Sequence, residues 1–119
     1  MSLKIYPVKG IIILMLELKL LLNPEEFKDF FIDLSTSQPY LLERTKIVIR
    51  ERFELSNQEI ENRYGVSRQR IDQLHRSAVR LMMKKLYKDT LTRKEIEILT
   101  DKVRRKISYC RRVLKAKSE

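Results

Sequence analysis

The sequence predicts a mainly helical protein, a bundle of short helices that closes on a long amphipathic helix at its C-terminal end. Three observations carry that expectation. Across 119 residues there are only two glycines and three prolines, while Leu, Ile, Glu, Lys and Arg dominate, a composition that favours uninterrupted helices. Apolar side chains recur at steps of three and four, the period of a helix with one buried stripe. Several segments also open on a helix-capping residue with Glu three positions later. A chain of this length suits one core without staples, and its segments divide into residues 1–22, 23–88 and 89–119.

Residues 11–22, IIILMLELKLLL, are apolar apart from Glu17 and Lys19. The run is about half the length of a transmembrane helix and carries two charges, so no membrane span is expected. No small-residue cleavage site follows, as a signal peptide requires. Glu17 and Lys19 alternate with Leu16, Leu18 and Leu20, which fits a strand; the length and leucine content fit a helix equally. Residues 1–22 are therefore helix or strand, an apolar segment that needs cover from the same chain or from a second copy.

Asn23, Pro24, Glu25 and Glu26 form a helix start: a capping Asn, Pro at the first helical position, and acids at the positive end of the dipole. Phe27, Phe30, Phe31 and Leu34 follow at core spacing, a packing stripe rather than a platform for stacked bases. Residues 35–39 make a polar break. Pro39 is expected to open the next helix, running to about Glu54, with Leu41, Leu42, Thr45, Val48, Ile49 and Phe53 turned inward. Its Arg44, Arg50 and Arg52 form a solvated face balanced by Glu43, Glu51 and Glu54.

Residues 56–87 carry the chemistry. Ser56 and Glu59 are a capping box, and Ile60 and Tyr64 share one face of the helix that follows. Gly65 supplies the left-handed conformation that ends it. Ser67 caps a second helix whose Ile71, Leu74, Ala78 and Leu81 make one apolar stripe. That stripe places Arg68, Gln69, Asp72, Gln73 and Arg76 on the opposite, solvent side. Arg donates two hydrogen bonds to guanine and Gln exchanges two with adenine, which is how a helix in the major groove reads sequence. The layout is that of a helix-turn-helix, with residues 67–77 as recognition helix and 23–88 as the DNA-binding domain. Candidate base contacts are Arg68, Gln69, Asp72 and Gln73. Candidate phosphate contacts are Ser67, Arg70, Arg76, Arg80 and Lys84.

The residues Glu59, Tyr64, Val66, Ser67, Arg68, Arg70, Ile71, Gln73 and Leu74 match E-x-x-x-x-(F/Y)-x-V-(S/T)-R-x-R-(I/V)-x-Q-(I/L). This pattern resembles region 4 of bacterial sigma factors, whose helix-turn-helix reads the promoter −35 element. The resemblance spans about 25 residues, and by position it implies base contact by Arg68, Gln69 and Gln73 and phosphate contact by Ser67. Gln69 and Asp72 stand where that family usually carries an acidic and a basic residue, so no sequence preference is transferred. The wider layout, LNPEEFKDFF ahead of a helix-turn-helix, is similar to the small KorA/TrfB-type plasmid repressors, which implies a homodimeric repressor of a plasmid or phage operon.

Thr92 and Glu95 form another capping box, and Ile96, Leu99, Val103, Ile107, Cys110 and Leu114 step along a long amphipathic helix. It packs on the N-terminal apolar run or meets its own copy across a two-fold axis. Its Lys102, Arg104, Arg105, Lys106, Arg111, Arg112, Lys115 and Lys117 form either a solvated face or phosphate contacts flanking the recognition helix, with Lys102, Arg105 and Lys106 the candidates.

The net charge of +10 is unevenly placed. Residues 1–62 hold 8 Lys/Arg and 10 Asp/Glu, whereas residues 63–119 hold 18 and 6. A basic half favours a polyanion, and nucleic acid over anionic lipid, because no basic helix here carries the aromatic anchors of an interfacial one. One His and one Cys leave no metal spacing, no Ser-His-Asp set and no glycine-rich phosphate loop, so neither enzyme chemistry nor a cofactor is expected. His75 is read as packing or phosphate-proximal, and Cys110 as a small buried hydrophobe of a cytoplasmic protein.

Three functions follow as expectations. The first is a sequence-specific transcription regulator acting as a homodimeric repressor on double-stranded DNA, its two recognition helices about 34 Å apart. The second is a sigma-like subunit or activator that also contacts RNA polymerase. The third is a protein-interaction module without specific DNA binding.

Overall fold

A computed structural model describes residues 5–87 and 89–118, without the side chains of residues 5–9, 12 and 118. Residues 1–4 of the N-terminal segment, and the segment ends placed at 88 and 119, lie outside the described residues. The chain forms α1 (Ile5–Leu20), α2 (Pro24–Thr36), α3 (Glu43–Glu51), α4 (Asn57–Tyr64), α5 (Arg68–Tyr87) and α6 (Arg93–Ser118), with no strand among the described residues.

From Ile5 to Leu20 the N-terminal segment is thus a helix. A strand would need an extended neighbour to take its backbone hydrogen bonds, and none exists among the described residues, whereas a helix satisfies them internally. Leu16 and Leu20 of α1 pack on the core. Glu17 accepts from Lys102 Nζ of α6 at 2.8 Å, and Lys19 Nζ lies 4.9 Å from the Phe30 ring centroid. The opposite side of α1, with Ile11, Leu14, Met15 and Leu18, is exposed.

α2 starts as its sequence dictates. The Asn23 side chain accepts from Glu26 N at 2.9 Å, its amide donates to the Glu26 carboxylate, and Pro24 is the first helical residue. Phe27 and Phe31 stack at 5.7 Å, and Phe53 meets them at 6.2 and 6.3 Å. All three rings are buried, each contributing on the order of 1.5–3 kcal/mol of apolar transfer free energy.

The helix expected from Pro39 to about Glu54 is shorter at both ends. Pro39 sits in a turn closed by Leu41 N donating to Gln38 O at 3.3 Å, and α3 begins only at Glu43 after Leu42. The turn sends Leu41 into the core and leaves Leu42, expected inside, 62% exposed. Nor are Glu51 and Arg52 solvated: both are buried. Glu51 turns between α3 and α4, where its carboxylate accepts from Arg63 Nη1 and from the Tyr64 hydroxyl, each at 2.7 Å.

α5 packs in a different rotation from the one its leucines suggest. Ile71 and Ala78 are buried as expected, but they are joined by His75, Val79, Met82 and Met83, while Leu74 and Leu81 are only half-buried. At 100° per residue the centre of the buried stripe is turned by roughly 80°. α6, capped by Thr92 and Glu95 in reciprocal bonds of 2.8 and 3.2 Å, lays Ile96, Leu99, Val103, Ile107 and Cys110 into the core that holds Phe27 and Phe31, with Leu114 at its margin. It packs chiefly on α5 and α2 and only lightly on α1.

Candidate nucleic-acid interface

The exposed face of α5 is positioned by what precedes it. Ser56 Oγ accepts from Glu59 N at 3.2 Å and Glu59 accepts from Ser56 N at 3.0 Å, so α4 starts where the capping box puts it. Lys115 Nζ, near the end of α6, also donates to Glu59 at 2.7 Å. That bond first, then the two cap bonds, hold the Glu59 carboxyl down at a pKa of about 2. α4 ends on Gly65, at φ 65° and ψ 25°, whose N–H donates to Glu61 O; a left-handed residue here strains any side chain. Ser67 Oγ then accepts from Arg70 N at 3.2 Å, capping α5.

Three residues separate the two helices, and the carboxylate of Glu51 anchors the end of α4 to α3. The Glu51 hydrogen bond is the main cause that raises the pKa of both Arg63 and Tyr64.

Of the expected base contacts, Arg68, Gln69 and Gln73 are exposed on the N-terminal half of α5. Arg68 is oriented: its Nη2 donates to Gln58 Oε1 of α4 at 2.7 Å. Asp72 is placed elsewhere. The rotation of α5 carries it to the flank facing α6, where Arg104 Nη2 donates to its carboxylate.

Of the expected phosphate contacts, Ser67, Arg70, Arg76, Arg80 and Lys84 are all exposed. Arg76 lies 4.0 Å from Glu97 and 3.9 Å from Asp101, and Arg80 lies 3.5 Å from Glu97. Such half-exposed pairs hold their arginines by about 0–1 kcal/mol, little enough for a phosphate to displace.

The three candidates on α6 are not gathered beside α5. Lys102 is bound to Glu17 of α1, and Lys106 donates to Leu22 O at 2.6 Å while lying over the rings of Phe27 and Tyr109. Arg105 is exposed. On α6, Lys102 and Arg104 are two residues apart and so point to opposite flanks, about 160° apart.

Two participants were not anticipated. Gln58, the second residue of α4, orients Arg68, and its only sequence signal is a polar position facing the turn. Arg104 takes Asp72, and nothing in a run of basic residues distinguishes it from its neighbours. His75 is a packing residue, buried at the α5 stripe, with both ring nitrogens unpartnered. Burial first, then the charges of Arg52 and Arg104, push its pKa down to about 3. Among the described residues no group of three His, Cys, Asp or Glu side chains is placed to hold a metal ion, and no helix is long and apolar enough to cross a membrane. The chain matches no protein-family model, no curated protein and no solved structure.

Proposed function

We propose that this chain is a sequence-specific DNA-binding transcription regulator, a repressor, that lays residues 67–77 in the major groove of double-stranded DNA. The observation that carries the reading is the exposed N-terminal half of α5. Arg68, Gln69, Arg70 and Gln73 are exposed there, on a helix capped by Ser67 and set against α4 through Gln58. Arg and Gln at these positions recognise base edges, and Arg80 and Lys84 further along carry the sequence-independent attraction to phosphate. The exposed Ile11, Leu14 and Leu18 of α1, at steps of three and four, support a homodimer in which two α5 helices meet successive half-sites. The absence of a membrane-crossing helix among the described residues is compatible with the cytoplasm, where such a regulator acts.

A groove of about 310 Å³ between α3, α4 and α5, lined by Ile47, Val48, Ile60, Tyr64, Val66 and Leu74, favours a second reading, a sigma-like subunit or activator that docks RNA polymerase there. Selection of binding sites from random duplex DNA at a stated salt concentration, followed by the mass of the bound species, separates these readings. A palindrome bound by two copies is the expected result. An asymmetric site bound by one copy would favour the polymerase-linked reading. No enriched sequence would overturn both and leave a protein-interaction module.

A further inference from the structure

We propose that the junction of α3, α5 and α6 is a binding site for a tetrahedral dianion of phosphate or sulfate size, held by the guanidinium groups of Arg52, Arg104 and Arg111. The site does not depend on the DNA-binding reading. Arg52, at the end of α3, is 7% exposed, and its Nε has no hydrogen-bond partner; the buried Nε atoms of Arg104 and Arg111 have none either. Burial lowers the pKa of Arg52, and Arg111 and Arg104 lower it further while Asp72 raises it, so these three charges stand within electrostatic reach of Arg52. His75, buried against Arg52 and Arg104, stays neutral and adds no charge.

Of the three guanidinium groups only that of Arg104 bonds the Asp72 carboxylate, so three cations stand against one acid, an excess of two positive charges. The other acids of the surrounding helices are engaged elsewhere. Glu51 binds Arg63 and Tyr64, Glu59 binds Lys115 and the α4 cap, and Glu97 and Asp101 face Arg76 and Arg80.

Buried cations are unfavourable unless an anion and hydrogen bonds compensate them. Guanidinium forks match the paired oxygens of phosphate or sulfate, and three forks suit a tetrahedral arrangement better than the flat pair of a carboxylate. A dianion also matches the excess of two. The Asp72 side chain is 47% exposed and that of Arg104 19%, so the cluster reaches solvent on the α5 flank.

The phosphate comes from a free anion or from a DNA backbone, and one set of measurements distinguishes them. The full chain is unfolded thermally at mildly alkaline pH and constant ionic strength while sodium phosphate or sulfate replaces sodium chloride. The midpoint should rise with the logarithm of phosphate or sulfate concentration, as one-site linkage requires. Arg52→Met should match or exceed the wild type in chloride, having lost an unpaired buried charge, and should no longer respond to either anion. Arg111→Gln, at a half-buried position, should also lose the response and covers the case in which Arg52→Met fails to fold.

An unchanged wild-type midpoint, or an equal response in both variants, would overturn the site. If DNA supplies the phosphate, Arg111→Gln also lowers the salt slope of duplex binding by about one ion, and phosphate weakens duplex binding more than chloride at equal ionic strength. If a free anion is the ligand, duplex binding is the same in either salt.

Discussion

Arg68 Nη2 donates to Gln58 Oε1 across the turn at 2.7 Å, so a residue of α4 sets the direction of the first arginine of α5. On a selected duplex, Arg68→Ala should cost about 1–3 kcal/mol and relax discrimination at one base pair. Gln58→Ala should cost about 0.5–1.5 kcal/mol, the value of one hydrogen bond, at that same base pair. Titrations against single-base variants of the site check both. Equal losses on every sequence would show that Arg68 touches phosphate alone.

The basic residues divide by position rather than by charge. Arg80→Ala and Lys84→Ala should each weaken binding to all duplexes and reduce the slope of log affinity against log salt by about 0.9. Lys102→Ala should leave the slope unchanged, because Lys102 is engaged with Glu17 on the α1 side. A reduced slope in Lys102→Ala would bring that flank of α6 to the DNA.

Gly65 isolates the backbone contribution of the turn. A Cβ added there meets nothing within 4 Å, while φ is +65°. Gly65→Ala should therefore destabilise by about 1 kcal/mol through backbone strain alone, and Gly65→Asn by less, since Asn tolerates the left-handed region. Urea unfolding of the two variants tests this; equal losses would point to contacts of the turn instead.

Stability should fall in mild acid through His75. Its folded pKa of about 3 lies below the roughly 6.5 of an unfolded chain, so the unfolded state takes up the proton first. The contribution of the neutral ring is whole above that unfolded value and is lost as pH drops toward the folded one. Between about pH 7 and pH 5 the wild type should lose roughly 2 kcal/mol from this group, and His75→Leu should lose that much less. Glu59, lowered to about 2, acts in the same direction at the more acid end. Urea midpoints across pH for both proteins decide it; parallel profiles would place the histidine in contact with solvent or a carboxylate.

Local signals in this chain were legible and long-range ones were not. Asn23, Ser56 and Thr92 cap as their spacing requires, and Gly65 turns left-handed, because each depends on atoms within four residues. Phe27 and Phe31 fill the core because burial dominates for so large an apolar group. Pro39 misled, since a proline suits a turn as well as a first helical position, and the choice fell to the burial of Leu41. On α5 the spacing of Leu74 and Leu81 with Ile71 and Ala78 suggests one stripe, but packing on both flanks, by α3 and α6, sets the actual rotation. Asp72 moved with it, from the expected reading face to Arg104. Nothing short of the assembled bundle marks Arg52 for the interior, because an arginine is ordinarily outside.

Cys110 is the single thiol of the chain, fully buried in the shared core, and its burial raises its pKa. Thiolate and access are both needed for alkylation, so a thiol reagent reacts only with molecules whose core has opened. When opening and reclosing outrun alkylation, the labelling rate reports the open population. The protein thereby carries its own internal gauge of core opening, readable by mass on unlabelled wild type and on each variant.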